Sequence, residues 1–187
     1  MQTLAPFGLR PSYHPTGIDR GTSYPIASGY ATAIFKGDPV ILNAAGSITA
    51  GTAAADIIGV FNGVEFTDAL GKPTYSNFWP AGQVVFANSV TTMWVWDTPD
   101  MVYDVQANGS VAAGAIGNQS DIVMGAGSVQ TGLSTTVLSA TLAGVGAQGQ
   151  FRVVDYNRDP SNAAGDPYTI VQVKIARHQY IANKVAI

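Results

Sequence analysis

Short stretches of the sequence alternate between apolar and polar residues, which is the period-two pattern of half-buried β-strands. The clearest examples are residues 168–177 and residues 100–107. Residues 91–97 differ, because Trp94 and Trp96 fall on one face of the predicted strand while the opposite face is apolar as well. A strand that is apolar on both faces lies between two layers or at an interface. Trp94 and Trp96 are candidates for a subunit contact if the second alternative holds.

Further strands are predicted between turn sequences that recur at short intervals. The candidate strands are residues 30–36, 39–42, 57–66, 83–88, 121–124 and 151–156. The candidate turns, which contain Gly, Asn or Pro, are residues 36–39, 43–46, 62–63, 70–73 and 108–109. Glycine also interrupts nearly every window long enough for a helix, at about 1 kcal/mol for each interior position. The pattern predicts an all-β fold, either a barrel or a sandwich of short antiparallel strands.

The first 25 residues differ from the rest of the chain. Prolines at positions 6, 11, 15 and 25 favour extended backbone before them, and the segment carries aromatic residues, which disordered tails usually lack. We therefore expect an extended N-terminal arm over residues 1–25, with a mobile terminus as the alternative, followed by a single β-rich domain over residues 26–187. The arm would dock on a neighbouring protein, and its candidate anchors are Phe7, Arg10 and Tyr13.

The composition narrows the class of protein. The chain has 187 residues, 47% of them hydrophobic, yet no apolar run approaches the ~20 residues of a membrane helix. Charged residues make up 11%, and the net charge of −3 is scattered without a basic stripe, so neither a membrane nor a nucleic acid is an expected partner. The N-terminal stretch has no signal-peptide pattern, so we expect the protein to stay in the cytoplasm of the cell that makes it.

The residue types that carry catalysis form no recognisable constellation. The absence of cysteine excludes disulfides, thiolate catalysis and Cys-based metal sites. His14 and His178 have no carboxylates at metal-ligand spacing, and residues 144–149 match a dinucleotide-binding fingerprint but precede a predicted strand instead of a helix. The aspartates within residues 97–104 fit a turn and the polar face of a strand better than an acid–base pair. We therefore expect no enzymatic activity, no cofactor and no metal.

Several motifs resemble a group of virion proteins of tailed phages that infect aquatic bacteria. They are FGLRP at 7–11, IASGYAT at 26–32, IFKGDPV at 34–40, IGVFNG at 58–63, YSNFWPAG at 75–82 and the stretch 175–180. That group looks like capsid decoration, or cement, proteins, which bind the outside of the major capsid protein lattice and stabilise it. The resemblance implies the major capsid protein and further copies of the chain as partners, with a trimer favoured over a dimer. It also implies a location on the capsid exterior after synthesis in the host cytoplasm.

The residues and the resemblance together predict a non-enzymatic phage virion protein that decorates and stabilises the capsid as a homo-oligomer. A head–tail or tail structural subunit is one alternative. A carbohydrate-binding β-module is another, because exposed tryptophans can line a sugar-binding surface, with Trp79 as the residue to test. Removal of residues 1–25 is expected to abolish capsid binding and to leave the β-sheet content unchanged.

Overall fold

A computed structural model describes residues 3–17, 20–53 and 55–181. Over these residues the chain folds into strands, with one short 3₁₀ helix at Ala113–Ala115. The strands are β1 (Arg10–Tyr13), β2 (Thr22–Tyr24), β3 (Ile34–Phe35), β4 (Pro39–Leu42), β5 (Ile48–Ala50), β6 (Gly59–Thr67), β7 (Pro73–Ser76), β8 (Phe78–Trp79), β9 (Thr92–Trp96), β10 (Val102–Gln106), β11 (Gln119–Val123), β12 (Val137–Leu142), β13 (Phe151–Tyr156) and β14 (Ile170–Ile175). The predicted all-β class is confirmed.

The strands form two large antiparallel sheets. Sheet I has the order β1-β10-β14-β13-β11-β12, and sheet II has the order β2-β9-β6-β4-β5 with β7 also paired to β6. A separate short pair joins β3 to β8. In the described residues neither sheet closes on itself, so the architecture is a sandwich and not a barrel.

The first hydrophobic core lies between sheet I and sheet II. Alternate residues of β10, β13 and β14 point into it, among them the fully buried Tyr103, Val153 and Val173. Sheet II contributes Val60, and Trp96 packs against the edge of the cluster. Because burying one large apolar side chain contributes roughly 1.5–3 kcal/mol, this layer is what holds the two sheets together.

A second core lies on the opposite face of sheet II. Met93 and Val95 of β9 are fully buried there, together with Phe61 of β6. The β3–β8 pair covers this core, where the ring of Trp79 meets that of Phe66 edge-on at a centroid distance of 5.4 Å. Strand β9 is therefore apolar on both faces, as the sequence predicts, because sheet II lies between two apolar layers.

Two predicted elements differ from the structure. Residues 83–88 form no strand, since Val85 makes only an isolated bridge with Asp68. Asn62 and Gly63, predicted as a turn, lie inside β6, where the register with β9 shifts at Asn62. Asn62 is thus the extra residue of a β-bulge, and bulges accept the same turn-favouring residue types.

The segment that the sequence assigns to an N-terminal arm lies, as far as it is described, against its own chain. Strand β1 pairs with β10 at the edge of sheet I, and β2 pairs with β9 at the edge of sheet II. Leu9 is buried in the first core, and the Ala5 N–H donates to the side chain of Gln106 at 2.8 Å. Removing residues 1–25 would delete two strands and a core residue, so the expectation that the β-sheet content survives this truncation is wrong.

Candidate interaction groove

Two of the motifs that carry the family resemblance, FGLRP and IFKGDPV, meet in space. The Leu9 N–H donates to the carbonyl of Gly37 at 2.9 Å and so joins them. Gly8 and Gly37 have positive φ values of 73° and 94°. A Cβ on Gly8 would lie 2.6 Å from the Cβ of Ser134. Glycine is therefore required at Gly8 by its backbone conformation and by the close approach of the neighbouring segment.

Side chains from both motifs line a shallow groove of about 190 Å³. The side chains that line it are Phe7, Leu9, Arg10, Pro11, Lys36, Trp96 and Leu133. Of the five residues predicted to make protein contacts, the structure brings Phe7, Arg10 and Trp96 together here. Tyr13 is 52% exposed but lies outside the groove, and Trp94 is 37% exposed in a separate recess.

Two cationic side chains lie over the aromatic rings of the groove. The Arg10 guanidinium is 4.9 Å from the centroid of the Phe7 ring, and the Lys36 Nζ is 5.9 Å from the centroid of the Trp96 ring. Both distances permit cation–π attraction. Arg10 also approaches the Asp104 carboxylate at 3.8 Å, but 63% of its side chain is exposed, so it retains donors for a partner. The groove thus combines aromatic surface with two positive charges.

Asp38 fixes the base of this groove from inside the fold. Its carboxylate accepts hydrogen bonds from the Phe35 N–H at 2.8 Å, the Ser134 hydroxyl at 2.5 Å and the Thr136 hydroxyl at 3.0 Å. Burial raises the pKa of this carboxyl above its ordinary value, against the opposite effect of the three hydrogen bonds. From the sequence, Asp38 was predicted only as part of a turn. Its position inside the IFKGDPV motif was the one indication that it had a further role.

The residues considered for catalysis do not converge. Within the described ranges, no group of three or more His, Asp or Glu side chains is arranged to hold a metal ion. His178 is fully buried, its Nδ1 accepts a hydrogen bond from the Tyr180 N–H at 3.1 Å, and burial lowers the pKa of its imidazole. His14 lies in the N-terminal segment and binds the neighbouring Thr16. Residues 144–149 lie in a loop before β13, with no helix following.

Asp97 has a structural role that the sequence did not indicate. Its carboxylate accepts hydrogen bonds from the Thr22 hydroxyl at 2.9 Å and the Tyr24 hydroxyl at 2.6 Å. The Tyr24 and Tyr180 hydroxyls are 3.0 Å apart. Burial and the hydrogen bond to Asp97 both raise the pKa of Tyr24. The cluster fastens β2 and the segment after β14 to the end of β9, instead of capping a turn.

Comparison of the chain with protein-family models, with curated proteins and with solved structures found no match. In the described part of the chain, no helix has the length and apolar character needed to cross a membrane. A function is therefore inferred from the groove residues and their arrangement.

Proposed function

We propose that this chain is a virion structural protein of a tailed phage, which decorates and stabilises the capsid. It binds the lattice of the major capsid protein as a homo-oligomer, with a trimer favoured, on the outside of the capsid. In this role it catalyses no reaction and uses no cofactor. The observation that carries the proposal is the meeting of FGLRP and IFKGDPV at one aromatic groove that carries positive charge.

The residue types of the groove suit a protein contact. Tryptophan, tyrosine and arginine are the side chains that most often dominate the energy of protein interfaces, and here Arg10 and Trp96 line the same groove as Phe7. Many copies bound to one lattice gain avidity, so each single contact can be modest. A small, open groove on a rigid sandwich is sufficient for this role.

The occupant that fits the groove is an extended segment of the major capsid protein that carries apolar and acidic side chains. Apolar side chains would cover the rings of Phe7 and Trp96, and a carboxylate would pair with Arg10 or Lys36. The chain as a whole has a net charge of −3. The positive charge of Arg10 and Lys36 is therefore a feature of the groove and not of the chain as a whole. It favours binding of an acidic segment over other parts of a partner's surface.

Cosedimentation with expanded capsids that lack the protein tests this proposal. Arg10→Gln should lower the affinity for capsids roughly tenfold, because removing a charged interface anchor typically costs more than 1 kcal/mol. Arg152→Gln is the matched control: Arg152 is exposed on β13, outside the groove, and its loss should leave binding unchanged. Trp96→Ala should also weaken binding, once circular dichroism shows that it folds.

Unchanged binding by Arg10→Gln, or an equal loss in both arginine variants, would contradict the groove as the capsid contact.

The copy number of the protein in purified virions tests the decoration role separately. A number near that of the major capsid protein supports decoration, whereas a handful of copies supports a head–tail or tail subunit. Sedimentation equilibrium of the free protein tests the trimer.

A further inference from the structure

A recess lies on the face of sheet II that packs against sheet I, at the part of this face that sheet I does not cover. At one end of this face, Val60 and Trp96 pack into the first core against sheet I. Farther along, Trp94 and Gly63 pair across β9 and β6 and line an open recess of about 320 Å³. This recess is separate from the groove described above, although Trp94 and Trp96 belong to the same strand.

Two exposed aromatic rings flank the recess. Trp94 on β9 is 37% exposed and Tyr75 on β7 is 75% exposed. Strand β6 lies between these two strands, so the strands that carry the rings are two spacings, or roughly 10 Å, apart. Gly63 pairs with Trp94 and has no side chain to fill the space between the rings. The result is an open floor with an aromatic ring on each side.

Polar side chains with free hydrogen-bonding capacity border this floor. Asn62, the bulge residue of β6, and Asn77, which follows β7, both line the recess. Across the residues that the structure describes, neither side-chain amide makes a hydrogen bond. The Tyr75 hydroxyl donates to the Glu65 carboxylate at 2.8 Å, which orients the ring. Hydrogen-bonding groups therefore border two aromatic rings that are each partly exposed.

We propose that this recess binds a neutral saccharide. A sugar ring has an apolar C–H face that covers an aromatic ring, and a rim of hydroxyls that pairs with amides such as those of Asn62 and Asn77. An apolar protein surface would instead leave both amides unpaired, and each unpaired buried group costs free energy. The combination of stacking surface and free amides favours a sugar over a protein segment.

The charges near the recess define which sugars it takes. The Glu65 carboxylate lies beside Tyr75, and the described residues that line the recess include no Lys or Arg. An acidic sugar would be repelled and would find no cation to pair with. Trp79, the tryptophan that the sequence suggested for sugar binding, is fully buried in the second core, so that suggestion is wrong.

Isothermal titration calorimetry of the full-length protein tests the proposal, with cellohexaose, laminarihexaose and chitohexaose as neutral probes and a hyaluronan oligosaccharide as the acidic one. At least one neutral probe should bind, and hyaluronan should not. Trp94→Ala and Tyr75→Ala should each weaken that binding about tenfold, as expected for an aromatic anchor. Phe86→Ala removes a ring that is 50% exposed outside the recess and should bind like the unmodified protein.

Absence of binding to every neutral probe at millimolar concentration would overturn the proposal. So would stronger binding of hyaluronan, or an unchanged affinity in a folded Trp94→Ala variant. Circular dichroism checks that fold, and because the ring is partly exposed we expect it to be intact. Capsid cosedimentation of Trp94→Ala should be normal, which separates the recess from the groove and lets either proposal fail without the other.

Discussion

Ser134 donates a hydrogen bond of 2.5 Å to the buried carboxylate of Asp38, although the two residues are 96 positions apart in the sequence. The bond joins the turn before β4 to the segment before β12. Ser134 also lies directly against Gly8, so the same contact supports the N-terminal motif. A polar contact inside the fold thus positions the exposed groove on which the proposed function depends.

Asp38→Ala should lower the free energy of unfolding by about 2–4 kcal/mol, because three buried donors lose their acceptor. Asp38→Asn should cost about half as much: its amide oxygen can still accept from the Phe35 N–H, while the hydroxyl of Ser134 can turn to accept from the amide nitrogen. Urea unfolding measures both values. Asp100→Ala, at a side chain that is 71% exposed, is the control. A cost for Asp38→Ala no larger than for Asp100→Ala would rule out this role.

Gly127→Ala should destabilise the protein by about 3 kcal/mol or more. Gly127 has a φ of 70°, and a Cβ there would overlap the ring of Phe35, which stacks on Phe78 at a centroid distance of 5.5 Å. Gly29→Ala is the matched control, because Gly29 has a φ of 74° with open space around it. It should cost only the backbone strain of about 1 kcal/mol. Thermal unfolding that shifts equally in both variants would show that the overlap has no effect.

Stability should fall as the pH drops below about 6.5, the ordinary pKa of histidine. Burial lowers the pKa of His178 in the folded protein, so below pH 6.5 the unfolded chain takes up a proton that the folded chain does not. The free energy of unfolding then decreases with falling pH, by at most about 1.4 kcal/mol per pH unit, until the folded-state pKa is reached. Urea unfolding between pH 7.5 and pH 5 measures this slope. His178→Gln should flatten it, and an equally steep slope in that variant would exclude His178 as its source.

Tyr103→Phe should lower the free energy of unfolding by about 1 kcal/mol. The Tyr103 hydroxyl donates to the Trp96 carbonyl at 3.0 Å, a bond between sheet I and sheet II at a fully buried side chain. Tyr13→Phe, at a ring that is 52% exposed, should change stability little and serves as the control. If chemical denaturation gives the same value for both, the bond between the sheets contributes nothing measurable.

The strand content of the fold could be predicted because alternation is a local property. Residues 100–107 and 168–177 gave β10 and β14, and the predicted inward side chains such as Tyr103 and Val173 are buried. Their pairing with each other could not be predicted, since the register between distant strands is set by the packing of the whole sheet. The bulge at Asn62 was hidden for a different reason, because turns and bulges use the same residue types.

Trp94 and Trp96 show why the candidate sites could not be predicted from the sequence alone. They point to the same face of β9, yet Trp96 lies in the groove and Trp94 in the recess. The difference depends on where sheet I stops covering sheet II, and no local pattern contains that information. Phe7 and Arg10 were predicted as anchors on a separate arm, whereas the structure joins them to Trp96 through contacts that only the folded chain makes.

The pairing of β1 with β10 and of β2 with β9 affects when the groove forms during folding. Arg10 pairs with Asp104 and Thr22 pairs with Val95, so both strands leave the ribosome long before the strands that receive them. Contacts between such distant segments form late, and proteins that depend on them refold in milliseconds to seconds instead of microseconds. The groove needs Phe7, Trp96 and Leu133 at once. A nascent or partly folded copy therefore lacks this surface, so only molecules that have completed folding present the groove to a partner.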